Sequence, residues 1–113
     1  MKIIKRSASD IALEAAHGGP GSRKLLLSDV SANKIEAMTD GFLPVGAVFD
    51  WHEHVGITEI MYVLAGSGKI CDRDGEYDYV VGDIYTFPMG VQHKIVNTGE
   101  VESRMIFVRM EAK

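Results

Sequence analysis

One cysteine, Cys71, in 113 residues leaves nothing for an internal disulfide. No apolar run approaches the roughly 20 residues that a membrane helix needs. The first residues, Met1-Lys2-Ile3-Ile4-Lys5-Arg6-Ser7, lack the apolar core of a secretory signal. Lys and Arg number 12 against 16 Asp and Glu, and the net charge of −4 argues against the basic face that nucleic acid requires. No internal repeat, linker or low-complexity tract is visible. These absences lead us to expect a cytoplasmic, soluble protein with neither membrane nor nucleic acid as partner. At 113 residues the chain has room for one hydrophobic core, so a single domain over 1–113 is expected.

Apolar residues at 46% and charged residues at 25% fit an ordinary globular protein. The twelve glycines exceed the average share of about 7% and suit many short strands joined by tight turns. Strand-like segments run from Ser22 to Leu27, Lys34 to Leu43, Glu59 to Leu64, Lys69 to Asp72, Tyr77 to Val81, Gln92 to Asn97 and Ser103 to Met110. Residues 2–5 read as a short edge strand. Asp10 offers an N-cap for a short helix, Ile11 to Ala16, stopped by His17-Gly18-Gly19-Pro20-Gly21. Leu43-Pro44-Val45-Gly46 reads as a turn with proline second, and Arg73-Asp74-Gly75-Glu76 as a hairpin. Strands recurring roughly every eight to twelve residues predict an all-β barrel or sandwich.

His52 and His54 stand two residues apart, followed by Glu59 and, much later, His93. Three imidazoles and a carboxylate are a ligand set for one divalent transition ion, Mn, Fe, Co, Ni, Cu or Zn. Side chains at i and i+2 of a strand share a face, which would place His52 beside His54 and turn Glu53 away. Residues 55–58 let the chain turn and bring Glu59 opposite the pair. Three neutral ligands and one carboxylate leave roughly +1 on the ion, and an octahedral metal keeps two positions open for substrate, water or O₂.

The same residues lie in two glycine-punctuated blocks. Gly46, His52, His54, Glu59 and Gly66 form the first; Gly82, Pro88, Gly90, His93 and Asn97 form the second. Both blocks resemble the two motifs of the cupin superfamily, complete and in order over the core 46–97, while an N-terminal arm, 1–22, lies outside them. The resemblance implies a double-stranded β-helix, a jelly-roll-like barrel, with a metal inside bound by His52, His54, Glu59 and His93. Cupins include dioxygenases, isomerases, epimerases, decarboxylases, lyases and non-catalytic binders. The expectation is therefore a metal-dependent enzyme acting on a small, oxygen-rich metabolite, a sugar derivative or organic acid. Its chemistry would be of isomerase or lyase type, or O₂-dependent dioxygenase type, with Glu59 as candidate catalytic base. The alternative is a non-catalytic small-molecule-binding cupin.

Other residues receive plainer readings. His17 reads as a surface histidine in a glycine-rich loop. Arg23 ranks ahead of Arg104 and Arg109 as a grip for an anionic substrate. Trp51 should face away from His52 into an intersheet or dimer contact, and Cys71 should be buried. Met61 and Phe107 should line the pocket on the face of Glu59. A homodimer is expected, with Lys2 to Lys5 pairing across to the partner's sheet.

Overall fold

The computed structural model describes residues 5, 7–28 and 35–111. Among these residues a 3-10 turn at Ala8–Asp10 is followed by ten strands: β1 (Glu14–Ala15), β2 (Ser22–Ser28), β3 (Ile35–Leu43), β4 (Val48–His52), β5 (Ile57–Ala65), β6 (Gly68–Cys71), β7 (Glu76–Tyr79), β8 (Ile84–Phe87), β9 (His93–Val96) and β10 (Ser103–Glu111). They form a six-stranded sheet, β1-β2-β3-β10-β5-β8, and a four-stranded one, β4-β9-β6-β7. Every pairing is antiparallel. Leu43, Met61, Val63, Met105 and Phe107 of the larger sheet pack with Phe49, Ile70, Tyr79 and Ile95 of the smaller. This is the double-stranded β-helix, or jelly roll, that the motifs imply.

Period-two alternation drives the burial. On β5, Glu59, Met61 and Val63 point inward while Tyr62 and Leu64 face out. On β10, Ser103, Met105 and Phe107 are buried in turn. Turns of one kind recur between strands. Ala47 N donates to Pro44 O, Asp83 N to Val80 O and Val91 N to Pro88 O, at 3.0, 3.1 and 3.1 Å. The third residue of each is a glycine with positive φ, Gly46, Gly82 or Gly90 at 76°, 92° and 78°. A type II turn needs that left-handed residue, which is why these motif positions are glycine. Pro44 accordingly opens its turn, one position earlier than expected.

The expected helix is corrected, and two strands are added. Residues 11–16 form no helix; Ile11 is extended, and Glu14 and Ala15 pair with Arg23 and Ser22. A six-residue helix gains too few hydrogen bonds to repay its nucleation, and pairing with β2 wins. Two strands, β4 and β8, lie where none was delimited. Both are short, and in β4 the alternation is broken by a bulge between Phe49 and His52. The expected strand over residues 2–5 falls on residues outside those described, Lys5 excepted, which is not in a strand.

Candidate metal centre

The bulge in β4 decides where His52 points. Phe49 pairs with Ile95 but His52 pairs with His93, three residues against two. The extra residue resets the alternation, so Phe49 and His52 both face the interior. β4 ends at His52, and His54 lies in the loop beyond it rather than on the same strand face as expected. That loop is tied down by Gly90 N, which donates to His54 O at 3.1 Å and so links the first motif to the second. Glu59 enters from β5 and His93 from β9, both buried.

One donor atom from each of His52, His54, Glu59 and His93 lies within 4.8 Å of the other three. The Glu59 carboxylate stands 3.6 Å from His54 Nε2 and 3.8 Å from His93 Nε2. Those gaps are too long for hydrogen bonds. They are close to the separations of about 3 to 4 Å between donors that each sit about 2.1 Å from one ion. His54 Nε2 and His93 Nε2 are buried with no hydrogen-bond partner among the described residues. His52 Nδ1 lies 2.7 Å from Asp50 O, and His93 Nδ1 lies 3.0 Å from Val91 O. A carbonyl only accepts, so each Nδ1 carries the proton and each Nε2 offers a lone pair to the site. The donor set thus fits a divalent transition metal in protonation as well as in position.

Burial lowers the His52 imidazole to about 4, against the opposing pull of the Asp50 carbonyl. Burial alone would raise Glu59, but the imidazoles of His54 and His93 outweigh it and bring the carboxyl down to about 2. At neutral pH the free site therefore holds a neutral His52 and an ionised Glu59, the forms that ligate.

A pocket of about 60 Å³ opens beside this group. Phe49, Ile95 and Phe107 give it an apolar floor, and Thr39 and Gly41 flank them. A side chain at position 41 would place its Cβ 2.9 Å from the Phe107 ring, so glycine there lets Phe107 lie against β3. Met61 faces inward as expected but belongs to the fully buried core and does not line the pocket.

The structure revises the remaining assignments. His17 is exposed, yet its ring is 4.6 Å from that of His52 and 5.2 Å from that of Phe49, at the pocket mouth. It holds a left-handed backbone, φ 57°, at the tip of the β1–β2 hairpin, where Ala16 N donates to Gly21 O at 2.9 Å. Partial burial of the ring lowers its pKa. Arg23 and Arg109 both line the pocket, whereas Arg104 forks onto buried Asp40 at 2.9 and 2.6 Å. Sequence reading ranked Arg109 behind Arg23, although continuing the inward series Ser103, Met105, Phe107 by two residues leads to it. Trp51 does face away from the site, but it lies under Arg73, whose Cζ is 3.7 Å from the ring centre, on the outer side of the smaller sheet. Cys71 is buried and free.

The cupin domain model matches residues 42–109, and the chain belongs to that family. An uncharacterised protein of Methanocaldococcus jannaschii is 28% identical over 106 residues, covering 94% of this chain and 85% of the relative. Protein SchB of Streptomyces halstedii is 30% identical over 92 residues, covering 77% of this chain and 64% of SchB. The crystal structure of a predicted oxalate decarboxylase from Thermotoga maritima matches with a TM-score of 0.88 at 28% identity, over 96% of this chain and all of that one (100%). No helix among the described residues is long and apolar enough to cross a membrane.

Proposed function

We propose that this chain is a metal-dependent enzyme in which His52, His54, Glu59 and His93 hold one divalent transition ion, and that its substrate is a small, oxygen-rich metabolite. The observation that carries the reading is a pair of buried imidazole nitrogens, His54 Nε2 and His93 Nε2, with no hydrogen-bond partner among the described residues, facing the ionised Glu59 carboxylate beside an open pocket. Leaving buried polar atoms unpaired is costly, and a ligand that all four residues share removes the cost. Such an ion supplies a Lewis acid for polarising substrate oxygens, the common requirement of isomerase- and lyase-type chemistry.

The chain's own residues do the rest. The Asp50 and Val91 carbonyls fix the tautomer and orientation of His52 and His93. Glu59 offsets part of the positive charge and is the candidate to accept a proton. Phe49, Ile95 and Phe107 keep water from the floor of the pocket and strengthen the electrostatic interactions above it. The resemblance to a predicted oxalate decarboxylase favours organic acids among the oxygen-rich candidates.

The test is elemental analysis of the purified protein followed by turnover assays on short organic acids, sugar acids and phenolics, with and without O₂. About one ion per chain is expected, with turnover lost on chelation and restored by adding one metal. Stoichiometric metal without turnover of any of these classes would overturn the enzyme reading in favour of a binding protein.

A further inference from the structure

The inward face of β10 runs Ser103, Met105, Phe107 and then Arg109, a guanidinium at the end of a buried series. Arg109 is the register partner of Glu59 on β5 and of Ala37 on β3. Side chains paired in this way have Cβ atoms about 4.5–5.5 Å apart. Nonetheless the ion pair that Arg109 makes is with Glu36, Nη2 to Oε2 at 3.3 Å, leaving Glu59 to the imidazoles. Arg109 Nε is buried and has no hydrogen-bond partner among the described residues. Arg23 differs: its Nε donates to Glu14 at 2.9 Å, and its side chain is 39% exposed against 24% for Arg109. Of the two pocket arginines, Arg109 is the one with a buried unspent donor, and it is the register partner of the candidate metal ligand Glu59.

We propose that Arg109 is the carboxylate anchor of this pocket and that the ligand is a short α-oxygenated carboxylate, an α-hydroxy acid, an α-keto acid or a dicarboxylate. Its carboxylate takes Arg109 Nε and Nη2, a planar fork that matches two carboxylate oxygens. The exposed Glu36 carboxylate already occupies Nη2 and gives way. The neighbouring oxygen of the ligand then faces the His52, His54, Glu59 and His93 group, so the assignment rests on the metal reading above. The pocket is small, and the remainder of a longer acid would leave past His17 at its mouth.

Calorimetry of metal-loaded wild type and the variants R109Q, R109K and E36Q tests this, with oxalate and glycolate as carboxylate probes. Acetohydroxamate serves as a chelating probe without a carboxylate. R109Q is expected to weaken oxalate and glycolate about 10- to 100-fold while acetohydroxamate changes by less than about threefold. R109K should fall between, keeping the charge but losing the fork. E36Q should tighten both carboxylates, because a competitor for Nη2 is gone. A merely structural Arg109–Glu36 pair predicts no tightening. Carboxylate affinity unchanged in R109Q, or equal loss of all three probes in a folded, metal-replete R109Q, would overturn the proposal. If R109Q does not fold, unchanged carboxylate affinity in both R109K and E36Q overturns it instead. Failure of the metal reading has its own signature: wild type would hold no ion and bind no acetohydroxamate. In that case carboxylate binding to metal-free wild type that R109Q abolishes supports the anchor, and its absence overturns it.

Discussion

Polar groups are buried at both ends of the barrel interior, but on different terms. Around Ser103, the Tyr79 hydroxyl and Ser103 Oγ are 2.7 Å apart. Nearby, Asn97 Nδ2 donates to the carbonyls of Leu43 and Val101, and its Oδ1 accepts from Gly99 N, all at 2.9 Å. Around Glu59, His54 Nε2, His93 Nε2 and Arg109 Nε are equally enclosed and have no partner among the described residues. Both sets include motif residues, since Asn97 belongs to the same block as His93. Satisfied groups at one end stitch the β3–β4 turn to the loop before β10. Unsatisfied groups at the other end are costly in isolation, and a ligand shared among them would remove that cost.

The largest effect should come from emptying the unsatisfied end. Replacing His52, His54 or His93 by alanine is expected to lower bound metal from about one ion per chain to below about a tenth. Any of the three that keeps full metal by elemental analysis leaves the ligand set. Chelation should lower wild-type stability by about 3–4 kcal/mol relative to protein held at a hundred- to thousandfold excess over Kd, read by denaturant titration.

At the satisfied end Asn97→Ala removes three hydrogen bonds and should cost about 2–4 kcal/mol. Metal content should stay at the wild-type level. A loss of metal matching that of His93→Ala would dissolve the distinction between the two ends.

Acid should act on the metal-free site in a graded way. His52 titrates near 6.5 when unfolded but at about 4 when folded, so the unfolded chain takes up a proton that the native site refuses. Its contribution to stability is present above pH 6.5 and declines as pH falls toward about 4. Glu59, brought from 4.5 to about 2, adds a second decline between those values. His52→Gln should flatten the first slope in urea midpoints measured across pH, and an unchanged slope would contradict the assignment. The smallest effect is Tyr79→Phe, about 1 kcal/mol in urea midpoints, with metal content at the wild-type level by elemental analysis.

Much of this was legible along the chain. The metal-ligand candidates and the inward face of β5 follow from residue type and period-two alternation. The turns at Gly46, Gly82 and Gly90 announce themselves because they demand a residue that tolerates positive φ. Less legible were β4 and the placement of His54. A bulge breaks the alternation that would have marked the strand, and His54 reaches the site from a loop pinned by Gly90. Over 11–16 local capping signals favour a helix, but pairing of Glu14 and Ala15 with β2, which no linear pattern announces, prevails.

What the sequence determined by itself was the chemistry at hand, three imidazoles and a carboxylate, and the glycine turns that fold the chain into a jelly roll. The tertiary structure alone decided that His17 meets His52 and that Arg109 stands opposite Glu59 with a donor to spare. Those neighbours come from segments far apart in the chain. Their meeting depends on register and on a hairpin folding over the barrel mouth, which no local pattern of residues encodes.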